Sequence, residues 1–280
     1  MLTAFFGIAG CGRSENSERS EKSEASAGPA YAPNPDAKPV DAATAGIVSG
    51  TVKLDGTPPK MRGINMRSVP SCQAMHDSPP TTEDVITGEN GALQNVVVYL
   101  KGNFNAYTFP KAADPVMMDQ KGCMYVPHVV ALQTETPLAI HNSDSASHNS
   151  NTLTKDNSPW NQTQPVGGAP VEHSFSHPEM AIALKCNIHP WMKGYVVVQS
   201  HPYVAISGKD GTFEIKNAPA GIPLEFQVWH ESSSGPSGAL QAERPDLKWQ
   251  PNGRFTVTLE PGQTLDLKDI KVPETSLAAK

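Results

Sequence analysis

From residue 46 onward the chain falls into short alternating segments. GIVSGTVKL (46–54) places an apolar residue at every second position, and Asp55-Gly56 ends it with a turn. NVVVYLKG (95–102) is β-branched and aromatic, with Gly91 before it and Gly102 at its end. MYVPHVVALQ, TPLAIHN, HSFS, MAIALKC and GYVVVQS continue the series. No stretch of a dozen residues keeps apolar positions at helical spacing. The pattern predicts an all-β protein, a Greek-key sandwich.

A second group of strands follows residue 201. YVAIS and TFEIK flank Lys209-Asp210-Gly211, which predicts a hairpin with positive φ at the turn. PLEFQVWHE comes next, and RFTVTLE and TLDLKDIKV predict a further pair around Pro261-Gly262. Through Asp210-Gly211, Phe213, Pro219, Gly221 and the closing strand, this part resembles the carboxypeptidase regulatory-like β-sandwich. That resemblance implies a smaller structural or interaction domain without catalysis. The expected division is therefore 46–200 and 201–280, although the strand at 46–54 could complete either sandwich.

The first 45 residues read differently. Residues 1–10 are apolar and uncharged, and Ile8-Ala9-Gly10-Cys11 resembles a bacterial lipobox. The resemblance implies a signal peptide over 1–10 and a lipid on Cys11; an ordinary buried apolar N-terminus is the alternative. Residues 11–45 are rich in Ser, Glu, Pro and Ala and carry few large apolar side chains. Such sequence does not offset its own ordering entropy and reads as a disordered tether. Together these features predict a domain held at a bacterial membrane by its lipid alone, in the periplasm or at the cell surface.

Composition narrows the classes further. With 22 Lys plus Arg against 28 Asp plus Glu, the net charge of -6 argues against nucleic acid as a partner, because phosphate contacts need clustered cations. The 26 prolines disfavour helical bundles. No run of 18 or more apolar residues is present to span a bilayer.

The chemistry concentrates in CNIHPWM, between two predicted strands. Cys186, His189 and Met192 offer a thiol, an imidazole and a thioether at C-x2-H-x2-M spacing, a soft donor set suited to copper. A blue-copper site needs a second imidazole, and His148 in HNSDSASHN supplies one after a strand ending near Asn142. Thioether is a poor zinc ligand, which disfavours zinc. Taken singly, Cys186 reads as a buried thiol, His189 as a surface loop residue and Met192 as core filler; their joint placement favours the metal.

On these residues, 124–199 resembles a cupredoxin, and its short ligand loop is most similar to that of amicyanin. The matching features are Asn142 six residues before His148, Asn149 directly after it, and Cys186-x-x-His189-Pro190-x-Met192. The resemblance implies one type 1 copper centre held by His148, Cys186, His189 and Met192, with Asn149 bracing the ligand loop. It further implies that His189 reaches the surface. Pro190 and Trp191, joined by Pro178 and Met180, would form an electron-transfer patch, although Trp191 could equally be a core anchor.

Two cysteines remain, Cys72 and Cys123. In an exported protein such a pair reads most simply as a disulfide, whose loop of about 50 residues would stabilise the fold by roughly 4 kcal/mol. A second metal site is the alternative, since His76 and His128 lie close by in sequence. His141, His173, His177, His201 and His230 carry no pattern of their own. The functional expectation is a non-enzymatic, outer-sphere electron carrier between redox proteins such as a periplasmic dehydrogenase and a cytochrome c. The alternatives are a copper-binding or storage module and a non-redox surface interaction protein.

Overall fold

The computed structural model describes Met1 and residues 34–244, 246–250 and 252–278. The expected signal segment and Cys11 lie outside the described residues, as does most of the tether. No helix among the described residues is long and apolar enough to cross a membrane.

The protein is an all-β molecule of two sandwiches. In the first, a five-stranded sheet runs in the order Asn161–Gln164, His148–Leu153, Glu179–Lys185, Lys193–Gln199, Val129–Gln133. It faces a four-stranded sheet in the order Val171–His173, Leu138–Asn142, Val116–Gln120, Tyr125–Val126. Tyr125, Phe175, Ile182, Leu184 and Val196 fill the space between them. Cys186 and Met192 belong to the same buried cluster, so the ligand loop is rooted in the core.

The second sandwich corrects the expected domain division. Its four-stranded sheet runs Val204–Ile206, Val97–Lys101, Pro223–Trp229, Arg254–Thr258, and its three-stranded sheet runs Thr212–Ala218, Gly46–Asp55, Thr264–Pro273. Gly46–Asp55 and Val97–Lys101, expected within 46–200, are thus central strands of the later unit. The first sandwich is inserted between Val97–Lys101 and Val204–Ile206. The physical reason is burial on both faces. Val98 and Leu100 enter the core of the second sandwich, while Val97 and Tyr99 meet Val129, Val197 and Trp229 between the two units.

Neither predicted hairpin forms. Val204–Ile206 and Thr212–Ala218 lie in opposite sheets, as do Arg254–Thr258 and Thr264–Pro273. At the first of these turns Asp210 accepts hydrogen bonds from the Thr212 N–H and hydroxyl (3.0 and 2.7 Å). Gly211, at φ +76°, passes the chain beneath the Val52 carbonyl, where a Cβ would fall 2.4 Å from that oxygen. These turns cross from one sheet to the other, a use of Asp-Gly and Pro-Gly that alternation alone does not distinguish from a hairpin. MYVPHVVALQ is likewise split, because Pro127 has no N–H for a ladder and the chain changes sheet there.

The tether ends earlier than expected. Lys38–Pro39 pairs in parallel with Tyr107–Thr108, and the Gly262 N–H donates to the Thr44 carbonyl. Residues 34–45 are thereby fastened to the folded part through backbone bonds, without large apolar side chains.

Candidate metal centre

The ligand loop spans the seven residues between two paired strands, with Lys185 opposite Lys193 at its base. The Cys186 N–H donates to the Met192 carbonyl (3.3 Å) and the Met192 N–H to the His189 carbonyl (2.9 Å), closing the loop on itself. His148 opens the neighbouring strand, which pairs Asn151 with Lys185. The ladder therefore brings residue 148 beside 186–189 although 38 positions separate His148 from Cys186.

Three of the four predicted donors, His148, Cys186 and His189, come together. His148 Nδ1 lies 2.9 Å from His189 Nδ1, and His189 Nδ1 lies 3.8 Å from Cys186 Sγ. One donor atom from each of the three residues falls within a 4.8 Å span, and all three side chains are buried. Met192 is wholly buried in the cluster that holds Cys186.

Electrostatics favour the ligating forms of Cys186 and His189 and the protonated form of His148. Burial raises the Cys186 thiol, but hydrogen bonding with His148 and the backbone N–H groups of Asn149, His189 and Ile188 outweighs it, and the net shift is downward. Burial and the neighbouring His148 hold His189 below the usual imidazole value, leaving it neutral. For His148, burial acts downward, but Asp144 and Cys186 together raise it.

Asn149 occupies the bracing position. Its Oδ1 accepts the Asn187 N–H (2.6 Å) and its Nδ2 donates to Asn161 (2.7 Å), tying the ligand loop to two strands. Asn142 donates to the Ala146 carbonyl (2.9 Å) and accepts from the Asp144 N–H (3.0 Å), which fixes the loop that delivers His148.

Asp144 escapes sequence reasoning altogether. Its buried carboxylate meets His148 Nε2 (2.9 Å) and accepts the N–H groups of Gly122 and Cys123 (2.6 and 2.7 Å). Burial would raise it, yet these bonds hold it below the usual carboxylate range. A carboxylate on the outer nitrogen fixes the ring so that Nδ1 points at the other donors. Only its place four residues before His148 hinted at this, and serine-rich loops carry many such acids.

Cys72 and Cys123 form a disulfide. The alternative metal site with His76 and His128 is not built: His76 Nε2 contacts the Gly122 carbonyl (2.7 Å), and His128 is bound to Glu231. His173 stacks on Trp160 with centroids 4.7 Å apart.

Two expectations fail at the surface. His189 is only 2% exposed, because Cys72 Sγ covers its Nε2 at 3.6 Å and Trp191 lies against its ring. Met180 does not join Pro190. It packs between the sandwiches, at the far end of the Glu179–Lys185 strand, about 20 Å along the chain from Cys186 at strand spacing. Pro190 is exposed and Trp191 half-buried, with its Nε1 donating to the Cys123 carbonyl (3.1 Å).

The residues fit copper by donor chemistry: two imidazoles and an acidified thiol meet in a buried pocket, and the Met192 thioether is buried in the same cluster as Cys186. No protein-family model and no curated protein matches the chain. Solved structures similar to it include a Cu-containing nitrite reductase from Thermus scotoductus SA-01 (22% identity, TM-score 0.29, covering 33% of this chain and 24% of that one). A purple cupredoxin from Nitrosopumilus maritimus is 21% identical (TM-score 0.26, 30% and 99% covered). Amicyanin from Paracoccus versutus is 18% identical (TM-score 0.28, 31% and 84%). The chain thus spans about a quarter of the nitrite reductase it matches.

Proposed function

We propose that this chain is a type 1 copper protein and serves as an outer-sphere electron carrier. The observation that supports this reading is the convergence of His148 Nδ1, His189 Nδ1 and Cys186 Sγ in one buried pocket. His148, Cys186, His189 and Met192 would hold the ion. Copper, when bound, supplies one-electron exchange between two oxidation states.

The chain's own residues supply rigidity. Asn149, Asn142 and Asp144 fix the donors from outside, so little rearrangement accompanies a change of charge. Burial of all three donors leaves no open position for a substrate, which favours electron transfer over catalysis. Because His189 is covered, electrons exchange through Trp191, whose ring touches His189 and whose edge reaches a cavity shared with Pro190 and Lys185. Encounters at such a port are small and transient. A redox protein such as cytochrome c or a periplasmic dehydrogenase fits this role, with Cys11 as the lipid attachment holding the chain at a bacterial membrane.

Copper-loaded protein mixed with cytochrome c in a stopped-flow instrument should exchange one electron per chain, reversibly. Tight Cu(I) binding without exchange would reject the carrier and support a storage module. Replacing Trp191 by Ala should slow the exchange at least tenfold while the copper content stays the same.

A further inference from the structure

The disulfide touches one imidazole ligand directly and is linked to the other through Asp144. Cys72 Sγ lies 3.6 Å from His189 Nε2. The Cys123 N–H donates to the same Asp144 oxygen that meets His148 Nε2, at 2.7 and 2.9 Å. Cys72 and Cys123 are completely buried, and the two sulfurs and a His189 nitrogen lie within 4.8 Å of one another.

We propose that Cys72 and Cys123 form a second metal site for Cu(I), opened by reduction of the disulfide, with His189 Nε2 as a third ligand only while the first site is empty. While the sulfurs are bonded to each other, neither is a thiolate. A dithiol reductant breaks the S–S bond: two electrons and two protons pass to Cys72 and Cys123, and the reductant leaves as its own disulfide. Binding then releases the two thiol protons as one Cu(I) takes both sulfurs. Thiolate softness selects Cu(I) over harder cations.

His189 stands between the two sites. Its Nδ1 faces His148 and Cys186, and its Nε2 faces Cys72. A neutral imidazole carries one N–H and one free lone pair, so it serves one site at a time. With the first site filled, the second holds its ion through the sulfurs alone, and His189 Nε2–H donates to a thiolate. A cavity of about 520 Å³ adjoins the short helix Pro70–Gln73 that carries Cys72, and Met66 among its lining residues offers a thioether along the approach.

The test uses the copper-free full chain under nitrogen. A phosphine, itself oxidised to the phosphine oxide, reduces the disulfide, and mass after alkylation counts two additional thiols. Cu(I) is then titrated against a chromophoric chelator. One equivalent should bind with the disulfide intact and two after reduction, while C72S/C123S stays at one under both conditions. Should that double variant fail to fold by circular dichroism, the unreduced chain is the control. Cys186→Ser should keep the gain of one equivalent on reduction even with the first site crippled, which separates this proposal from the electron-carrier reading. A chain with both thiols demonstrably free that gains no equivalent would overturn the proposal. So would a folded chain whose disulfide resists the phosphine.

Discussion

The two sandwiches share an architecture and differ in what they bury. The second is filled mainly by apolar side chains such as Leu100, Phe226, Phe255 and Ile270. The first carries His148, Asn149, Ser150, Asn142, Asp144 and Gln164 out of solvent at one end of its sheets. Each of those six side chains has a hydrogen-bond partner, so the region is a connected network. A β-sandwich therefore specifies nothing about chemistry by itself; the donors at one end do.

If the two regions are separable in this way, damage to one should leave the other's property intact. The largest effect is expected from Phe226→Ala. Phe226 is fully buried and stacks on Phe255 at 5.0 Å, so its truncation should cost about 3–5 kcal/mol by denaturant titration. Copper stoichiometry in the surviving folded protein should stay the same. Opening the disulfide by C72S/C123S should cost about 2–4 kcal/mol, since it closes a separation of 51 residues, and should also change the copper spectrum because Cys72 touches His189. An unchanged spectrum would show that the contact is passive.

Asn149→Ala sharpens the comparison from the other side. It removes the bonds to Asn187 and Asn161 and should weaken metal retention about 10–100-fold, with little loss of global stability. The smallest effect concerns the seam between the sandwiches. There His128 meets Glu231 and Glu83, and Lys193 bridges Asp84 and Glu231 at 2.7 and 2.5 Å. Burial acts to lower His128, but the two glutamates raise it from 6.5 to about 9. A raised folded-state value gives stability that is complete below pH 6.5 and is lost as pH rises through 9. Chemical denaturation at pH 8 should therefore show about 1–2 kcal/mol less stability than at pH 6.5, and His128→Gln should flatten that slope.

Which side chains gather at the candidate site was partly legible in the sequence, since His148, Cys186 and His189 do come together. Cys186, His189 and Met192 announce themselves by spacing inside a loop, and His148 by its strand and the asparagines around it. Asp144 was not legible, because its role depends on N–H groups from residues 122 and 123, brought to it by tertiary packing. The covering of His189 by Cys72 joins positions 117 residues apart and leaves no local pattern. The same limit explains the strand at 46–55. Its alternation reveals which face is buried but not which partners it takes, and those are Thr212–Ala218 and Thr264–Pro273.

Stoichiometric Cu(II) titration of the disulfide-intact chain, followed in the visible region and by EPR, tests the central reading most directly. One equivalent should produce an intense sulfur-to-copper charge-transfer band that is absent in Cys186→Ser. A full equivalent bound without that band, or with the same band in Cys186→Ser, would contradict it.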